Sequence, residues 1–284
     1  MVSPIAWGMW RFSHAGVTTG RRLIDAAFEA GVTLFDTADI YGFDGKGGFG
    51  DAEALLGRIF AESSALRDRM VLATKGGITP PVPYNSSPTY LMGALDASLR
   101  RMQTDHVDLY QIHRPDVLAH PQEVARTLED LVTSGKVRAV GVSNYTLAQH
   151  RALAAFLTIP LASTQPEFSP LAIEPVEAGL LDLAMETDLA VLAWSPLGGG
   201  RIGDPQDAQA VAVAAALDIV ATEAGVSRAA AAYGWIMAHP ARAIPIVGTQ
   251  NVDRIGEISD VFKCHWTRQR WYDVLVAARG KKLP

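Results

Sequence analysis

Cysteine is nearly missing from this chain. With Cys264 alone in 284 residues, neither a disulfide framework nor a thiolate metal cluster can be built. Basic runs are missing too: 25 Lys and Arg stand against 30 Asp and Glu, a formal net charge of −5, which speaks against a nucleic-acid ligand. No stretch approaches the roughly eighteen uninterrupted apolar residues of a membrane span, and no charged-then-apolar leader is visible. No Gly/Ser linker or composition break marks a second domain. What is present is apolar material: 49% hydrophobic against 19% charged residues supplies a large core and excludes disorder. The length suits one α/β domain, since barrels of that class run to about 250 residues. The expectation is a soluble, cytoplasmic, metal-free protein with a small-molecule ligand and no nucleic-acid or membrane partner. Nothing sets its oligomeric state, and a monomer is compatible with it.

Short apolar runs recur along the chain. They are Ile5–Gly8, Thr33–Thr37, Met70–Lys75, Val107–His113, Val137–Ser143, Leu161–Gln165, Ala190–Trp194 and Ile244–Val247. They are brief and β-branched, as strands buried on both faces should be. Between them lie helix patterns: Gly20–Ala30 after Thr18-Thr19 and closed by Gly31, Thr89–Met102 after Ser87-Pro88, Gln122–Thr133 before Ser134-Gly135, and Glu177–Thr187. Eight strands alternating with helices predict right-handed βαβ crossovers. The open, doubly wound alternative usually announces itself with Gly-x-Gly-x-x-Gly after the first strand, and Gly8-Met9-Trp10-Arg11 lacks it. The fold class expected is therefore α/β, a closed (β/α)8 TIM barrel over residues 1–257. A C-terminal tail, 258–284, carries one more helix near Arg268–Ala278.

In such a barrel, chemistry sits at the C-terminal ends of strands, and there this sequence places its unusual residues. Strand 2 ends in Asp36, strand 3 in Lys75, strand 4 in His113 and strand 5 in Ser143-Asn144. Strand 6 ends in Gln165 and strand 7 in Trp194-Ser195. Singly each has a bland explanation: an Asp caps a turn, a Lys reaches solvent, a His is structural. Together on consecutive strand ends they suggest a catalytic set. Asp36 can hold Lys75, and Tyr41 follows five residues after Asp36. A phenol titrates near pH 10, and the expectation is that the Lys75 cation lowers that value and makes Tyr41 a usable proton donor. His113 would direct a carbonyl oxygen.

The other half of the barrel reads as a nicotinamide site. Ser143, Asn144 and Gln165 suit a carboxamide, and Trp194 offers a flat stacking face. Ser195-Pro196-Leu197-Gly198-Gly199-Gly200-Arg201 is expected to present free N–H groups and a guanidinium to a pyrophosphate. Gly248, Thr249 and Gln250, before Asn251, form a second phosphate candidate, with Arg254 for a phosphate and Glu257 for an adenine amine. Gly8 and Trp10 are placed at the same site from strand 1. Trp10, Phe43, Tyr84 and Trp266 are also candidates for a substrate pocket.

At these residues the sequence resembles the aldo-keto reductase superfamily over almost its whole length. Phe35–Gly42 looks like its Asp-Thr-Ala-x-x-Tyr signature, and Glu53–Gly57 like the Glu-x-x-Leu-Gly that usually follows. Thr74-Lys75, Ile112-His113, Gly141–Tyr145 and Trp194–Leu197 come in the family's order. Tyr110–Asp116 and Trp194–Arg201 look most like the bacterial YdhF-type branch. The resemblance implies carbonyl reduction with NADP(H), or NAD(H), and Tyr41 as general acid. Three departures stand out. Strand 1 is expected to start almost at once, at Val2-Ser3-Pro4, in place of a bottom-closing hairpin. Ile258 stands where an Asn commonly follows the adenine-contacting Glu. No basic residue occurs in Gly248–Asn251, which leaves Arg254 as the reader of a 2′-phosphate. A non-catalytic NADP(H)-binding regulatory or scaffold protein on the same fold, as the potassium-channel β subunits largely are, is the alternative. A metal-dependent barrel hydrolase finds only His113 and Asp36 as ligands.

Overall fold

The structure, a computed structural model, describes residues 2–283; Met1 and Pro284, the outer bounds of the expected domain, lie outside them. Eight strands form: β1 Ala6–Gly8, β2 Leu34–Asp36, β3 Val71–Gly76, β4 Val107–Ile112, β5 Val137–Ser143, β6 Ser163–Gln165, β7 Ala190–Ala193 and β8 Ile244–Val247. Each pairs in parallel with the next, and β8 pairs with β1, so the (β/α)8 barrel closes.

The register explains why polar residues converge at one end. Ala6, Leu34, Ala73, Leu109, Leu192 and Ile246 pack together as the lumen plug. Side chains on a strand repeat every two residues. Two positions onward, the same inward face carries Gly8, Asp36, Lys75, Gln111, Trp194 and Gly248; His113 and Ser143 follow Leu109 and Ala139 by four. Gln165 stands two beyond Ser163. Apolar plug below and polar ring above are thus written as one alternating pattern.

Helices cover the outside: α1 Val17–Glu29, α2 Asp51–Glu62, α3 Ala65–Asp68, α4 Pro88–Met102, α5 Pro121–Thr133, α6 Leu147–Ala154, α7 Glu174–Glu177, α8 Leu180–Thr187, α9 Ala208–Ala224, α10 Arg228–Met237, α11 Val252–Gly256 and α12 Arg268–Arg279. Several bounds differ from expectation. α4 and α5 begin at Pro88 and Pro121 themselves, because proline is tolerated at a first helical position whose N–H has no partner. α1 begins at Val17, so Thr18 and Thr19 lie inside it and Gly16 precedes it. The expected helix Glu177–Thr187 is split into α7 and α8, since Gly179 turns left-handed at φ +77°.

Below the barrel, strand 1 starts at Ala6 and not at Val2-Ser3-Pro4. The preceding segment acts through Ser3, whose Oγ accepts from Thr33 N–H at 2.8 Å and donates to Ile5 O at 2.6 Å. The C-terminal helix packs on α9, and its Val274, Leu275 and Ala278 are buried in one cluster with Val213 and Leu217 of α9. Its Trp271 stacks on Trp235 of α10, rings 4.9 Å apart and 9° from parallel. Among the described residues, no single helix is long and apolar enough to cross a membrane.

Candidate active site

Lys75 is the centre of the polar ring. It is fully buried, and its ammonium donates to Asp36 Oδ2 at 2.7 Å, Thr37 O at 2.8 Å and Tyr41 Oη at 2.9 Å. All three N–H bonds are therefore spent. The other Asp36 oxygen accepts from Gln165 Nε2 at 3.0 Å, and Ser143 Oγ donates to Gln165 O at 2.9 Å. Gln165, expected at a carboxamide, is thus also the second support of Asp36. The Tyr41 ring meets His113 edge-on at 5.8 Å and Trp10 edge-on at 5.1 Å.

The protonation states follow from burial and charge. Burial raises the Tyr41 phenol above its ordinary value; Lys75 opposes this without reversing it. The expectation that Lys75 brings the resting phenol below pH 10 is corrected here. Desolvation of a buried phenolate outweighs a cation already shared with Asp36. Burial pulls the Lys75 ammonium down, but Asp36 and Tyr41 more than offset it, so its value is raised. His113 is held well below the ordinary imidazole range by burial, then by Lys75 and Arg114. At neutral pH the set is a neutral phenol, an ammonium and a neutral imidazole.

A cleft of about 1160 Å³ runs from Tyr41 and His113 to Arg254 and Glu257. Gly8, Trp10, Asp36, Ser143, Asn144, Gln165, Trp194, Ser195, Leu197, Gly199, Gly248, Thr249 and Gln250 also line it. At Gly8 a Cβ would stand 2.7 Å from Ile246 Cγ2, so only glycine keeps this wall back. Lys75 lies beneath the cleft. Arg201 does not line it; its guanidinium pairs with Asp207 at 2.7 Å. The glycine turn differs from expectation as well. Gly198 N–H donates to Ser195 O, Gly199 N–H to Ser195 Oγ, and Gly200 N–H to Leu197 O, at 2.8, 2.8 and 3.1 Å. These N–H groups are engaged within the turn: Ser195, at φ +53°, folds its carbonyl and hydroxyl back onto the first two, and Leu197 O takes the third. At the far end Asn251 caps α11 by accepting from Asp253 and Arg254 N–H. Gln250 Oε1 is buried without a partner. Arg254 is exposed and makes no ion pair among the described residues. Ile258 is buried in the core.

Some residues of the cleft lining were not expected. Arg11 and Arg114 line the cleft beside Tyr41 and His113; each directly follows a singled-out residue, which was the available signal. Of the other substrate-pocket candidates, Trp266 packs against α10 at Gly234, and neither Phe43 nor Tyr84 lines the cleft. Beneath the site, Glu53 accepts from Thr74 Oγ1 at 2.6 Å and Arg101 Nε at 2.8 Å, locking α2 and α4 to β3. Asp39 is buried close by, and burial followed by Glu53 pushes its carboxyl well above the usual range.

Residues 4–274 match the profile of the Aldo/keto reductase family. The chain is 60% identical over 285 residues to a 6-dehydroglucose reductase of Novosphingobium aromaticivorans, covering 100% of this chain and 94% of that protein. It is 32% identical to the oxidoreductase YdhF of Escherichia coli, over 99% and 95% of the two chains. Among solved structures, the glycerol dehydrogenase of Gluconobacter oxydans superposes with a TM-score of 0.83 at 27% identity, covering 100% of this chain and 94% of that one. With its closed barrel and its polar strand ends, the chain belongs to the aldo/keto reductase family of oxidoreductases.

Proposed function

We propose that this protein reduces an aldehyde or ketone carbonyl to an alcohol with NADPH or NADH, Tyr41 giving the proton. The observation that carries the reading is the buried Lys75 ammonium, held between Asp36 and the Tyr41 hydroxyl at 2.7 and 2.9 Å. The 60% identical relative bears the name 6-dehydroglucose reductase, and a sugar carrying an aldehyde is the substrate class we infer for this chain.

The residues present fit a nicotinamide dinucleotide: the cleft reaches from Tyr41 to Glu257, its lining residue Gln250 has a buried Oε1 without a partner, and Arg254 makes no ion pair among the described residues. Trp194, Ser143 and Asn144 would hold the nicotinamide end, and Arg254 and Glu257 the adenine end. When bound, the cofactor supplies a hydride to the carbonyl carbon. Everything else falls to the chain. Because Lys75 donates to Tyr41 Oη, the phenol's own hydrogen is left free to turn toward the cleft. Neutral His113 hydrogen-bonds the carbonyl oxygen and fixes its direction. As the carbon gains its hydride, the oxygen takes the Tyr41 proton and the alcohol is complete. The phenolate left behind stands 2.9 Å from an ammonium. Lys75 therefore acts chiefly on the product side of the transfer, where it offsets the desolvation that keeps the resting phenol neutral. Asp36 and Gln165 keep Lys75 aimed.

The reading is tested by following NADPH absorbance with 6-dehydroglucose and with simple aldehydes, in the wild type and in Tyr41→Phe. Turnover abolished by that substitution supports it. Cofactor binding without turnover of any carbonyl would favour the regulatory alternative.

A further inference from the structure

We propose that Arg114, assisted by Arg11, is the specificity determinant that selects a polyhydroxylated aldehyde by donating to its hydroxyl groups. The proposal rests on the carbonyl-reductase reading and concerns the same cleft.

Arg114 follows His113 at the end of β4, and the backbone there is clamped on both sides. His113 N–H donates to Gly76 O at 2.8 Å, and His113 O accepts from Asn144 Nδ2 at 3.3 Å. The Arg114 guanidinium lies 5.6 Å from the centre of the Trp194 ring, within the range of a cation–π contact. That ring is itself fixed, since its indole N–H donates to Asn144 Oδ1 at 2.9 Å. No carboxylate among the described residues pairs with Arg114. Asp116, the nearest acid in the chain, is spent on the N–H groups of Ser86 and Leu118, both at 2.9 Å. Arg114 is thus a half-buried, firmly mounted fork of donors whose hydrogen bonds are left for a ligand.

Arg11 enters the same cleft from β1 and has no ion pair among the described residues. It follows Trp10, whose ring is 60% exposed and packs edge-on against Tyr41. The proton-donating end of the cleft therefore combines a flat, wet indole with two unneutralised guanidinium groups. A sugar presents the matching alternation, apolar C–H faces and rings of hydroxyl acceptors. An unsubstituted alkyl aldehyde would leave both forks unmade, and a site that desolvates donors discriminates against ligands that cannot use them.

The test compares kcat/KM for 6-dehydroglucose, hexanal and succinic semialdehyde in the wild type, Arg114→Met, Arg114→Gln and Arg11→Met. The ratio of the sugar aldehyde to hexanal is expected to fall about ten- to a hundredfold in Arg114→Met, the range for losing a charged donor's hydrogen bonds. A smaller fall in the same direction is expected for Arg11→Met. Arg114→Gln keeps a donor, and partial recovery of the ratio separates ligand contact from support of the loop. Equal losses on both substrates overturn the proposal, as does an unchanged ratio. A loss concentrated on succinic semialdehyde overturns it in favour of a carboxylate-binding role. A wild type that turns over none of the three aldehydes sinks the carbonyl-reductase reading itself, a different result from any change in ratio.

Discussion

Asn144 holds Trp194: the indole N–H donates to Asn144 Oδ1 at 2.9 Å. The same amide donates through Nδ2 to Ser143 Oγ at 2.8 Å and to His113 O at 3.3 Å. One side chain therefore ties together the ends of β4, β5 and β7. Its backbone sits at φ +59°, a left-handed conformation that Asn tolerates better than most residues. The ring expected to stack on nicotinamide is accordingly mounted in advance of any ligand.

NADPH is expected to quench tryptophan fluorescence, and Trp194→Ala should remove most of that quench. Asn144→Ala should weaken binding and shrink the quench together, because the ring loses its tether. Stopped titrations of intrinsic fluorescence read both. An undiminished quench in Trp194→Ala would show that another of the six tryptophans lies against the cofactor.

Cofactor choice is expected to rest on Arg254. Arg254→Ala should weaken NADPH much more than NADH, since only NADPH carries the 2′-phosphate. Because Arg254 has no competing ion pair among the described residues, the loss should also shrink as salt is raised. Equal weakening of both nucleotides would assign that phosphate to another group.

Tyr41→Phe should lower carbonyl reduction by about two to four orders of magnitude while leaving fold and cofactor binding nearly untouched. Lys75→Met should be similarly damaging, and the two losses should not add in the double variant, because Lys75 is proposed to act through the Tyr41 oxygen. Asp36→Asn should cost less, since Gln165 and Thr37 O still locate the pair. Full additivity in a steady-state comparison would show that Lys75 works independently of the phenol.

Acid should destabilise the fold through His150. Burial holds this imidazole at about 4, against an ordinary 6.5. The unfolded chain therefore takes up a proton that the folded chain refuses as pH drops from 6.5 toward 4. Stability is full above 6.5 and declines across that window, by about 3 kcal/mol for this group. Urea unfolding of the wild type and of His150→Asn, which keeps a polar partner for Thr164, should converge in slope above pH 6.5. Below it, only the wild type should carry this loss. Parallel curves throughout would mean that His150 is not the titrating group.

The barrel and most of the candidate site's lining were legible because both follow from local pattern. Alternation with a period of two decides which side chains enter the lumen, and the same count that buries Leu34, Ala73 and Leu109 aims Asp36, Lys75 and His113 above them. Helix ends were less legible where the signal was a choice between adjacent residues, as at Pro88 and Pro121, or where a single Gly179 broke an apolar stripe.

What the sequence could not express is competition for partners. Arg201 has a guanidinium suited to pyrophosphate, yet Asp207, six residues on, claims it; the glycine turn has N–H groups suited to the same ligand, yet Ser195 and Leu197 take them. Nor could it settle the sign of the Tyr41 shift, which balances one neighbouring cation against desolvation by everything packed around the ring. Residue type and spacing determine which strand-end groups, such as Asp36, His113 and Gln165, are brought to the mouth of the barrel. Which of their hydrogen bonds stay open for a ligand is decided only in three dimensions, because each donor binds whatever acceptor the folded chain places nearest.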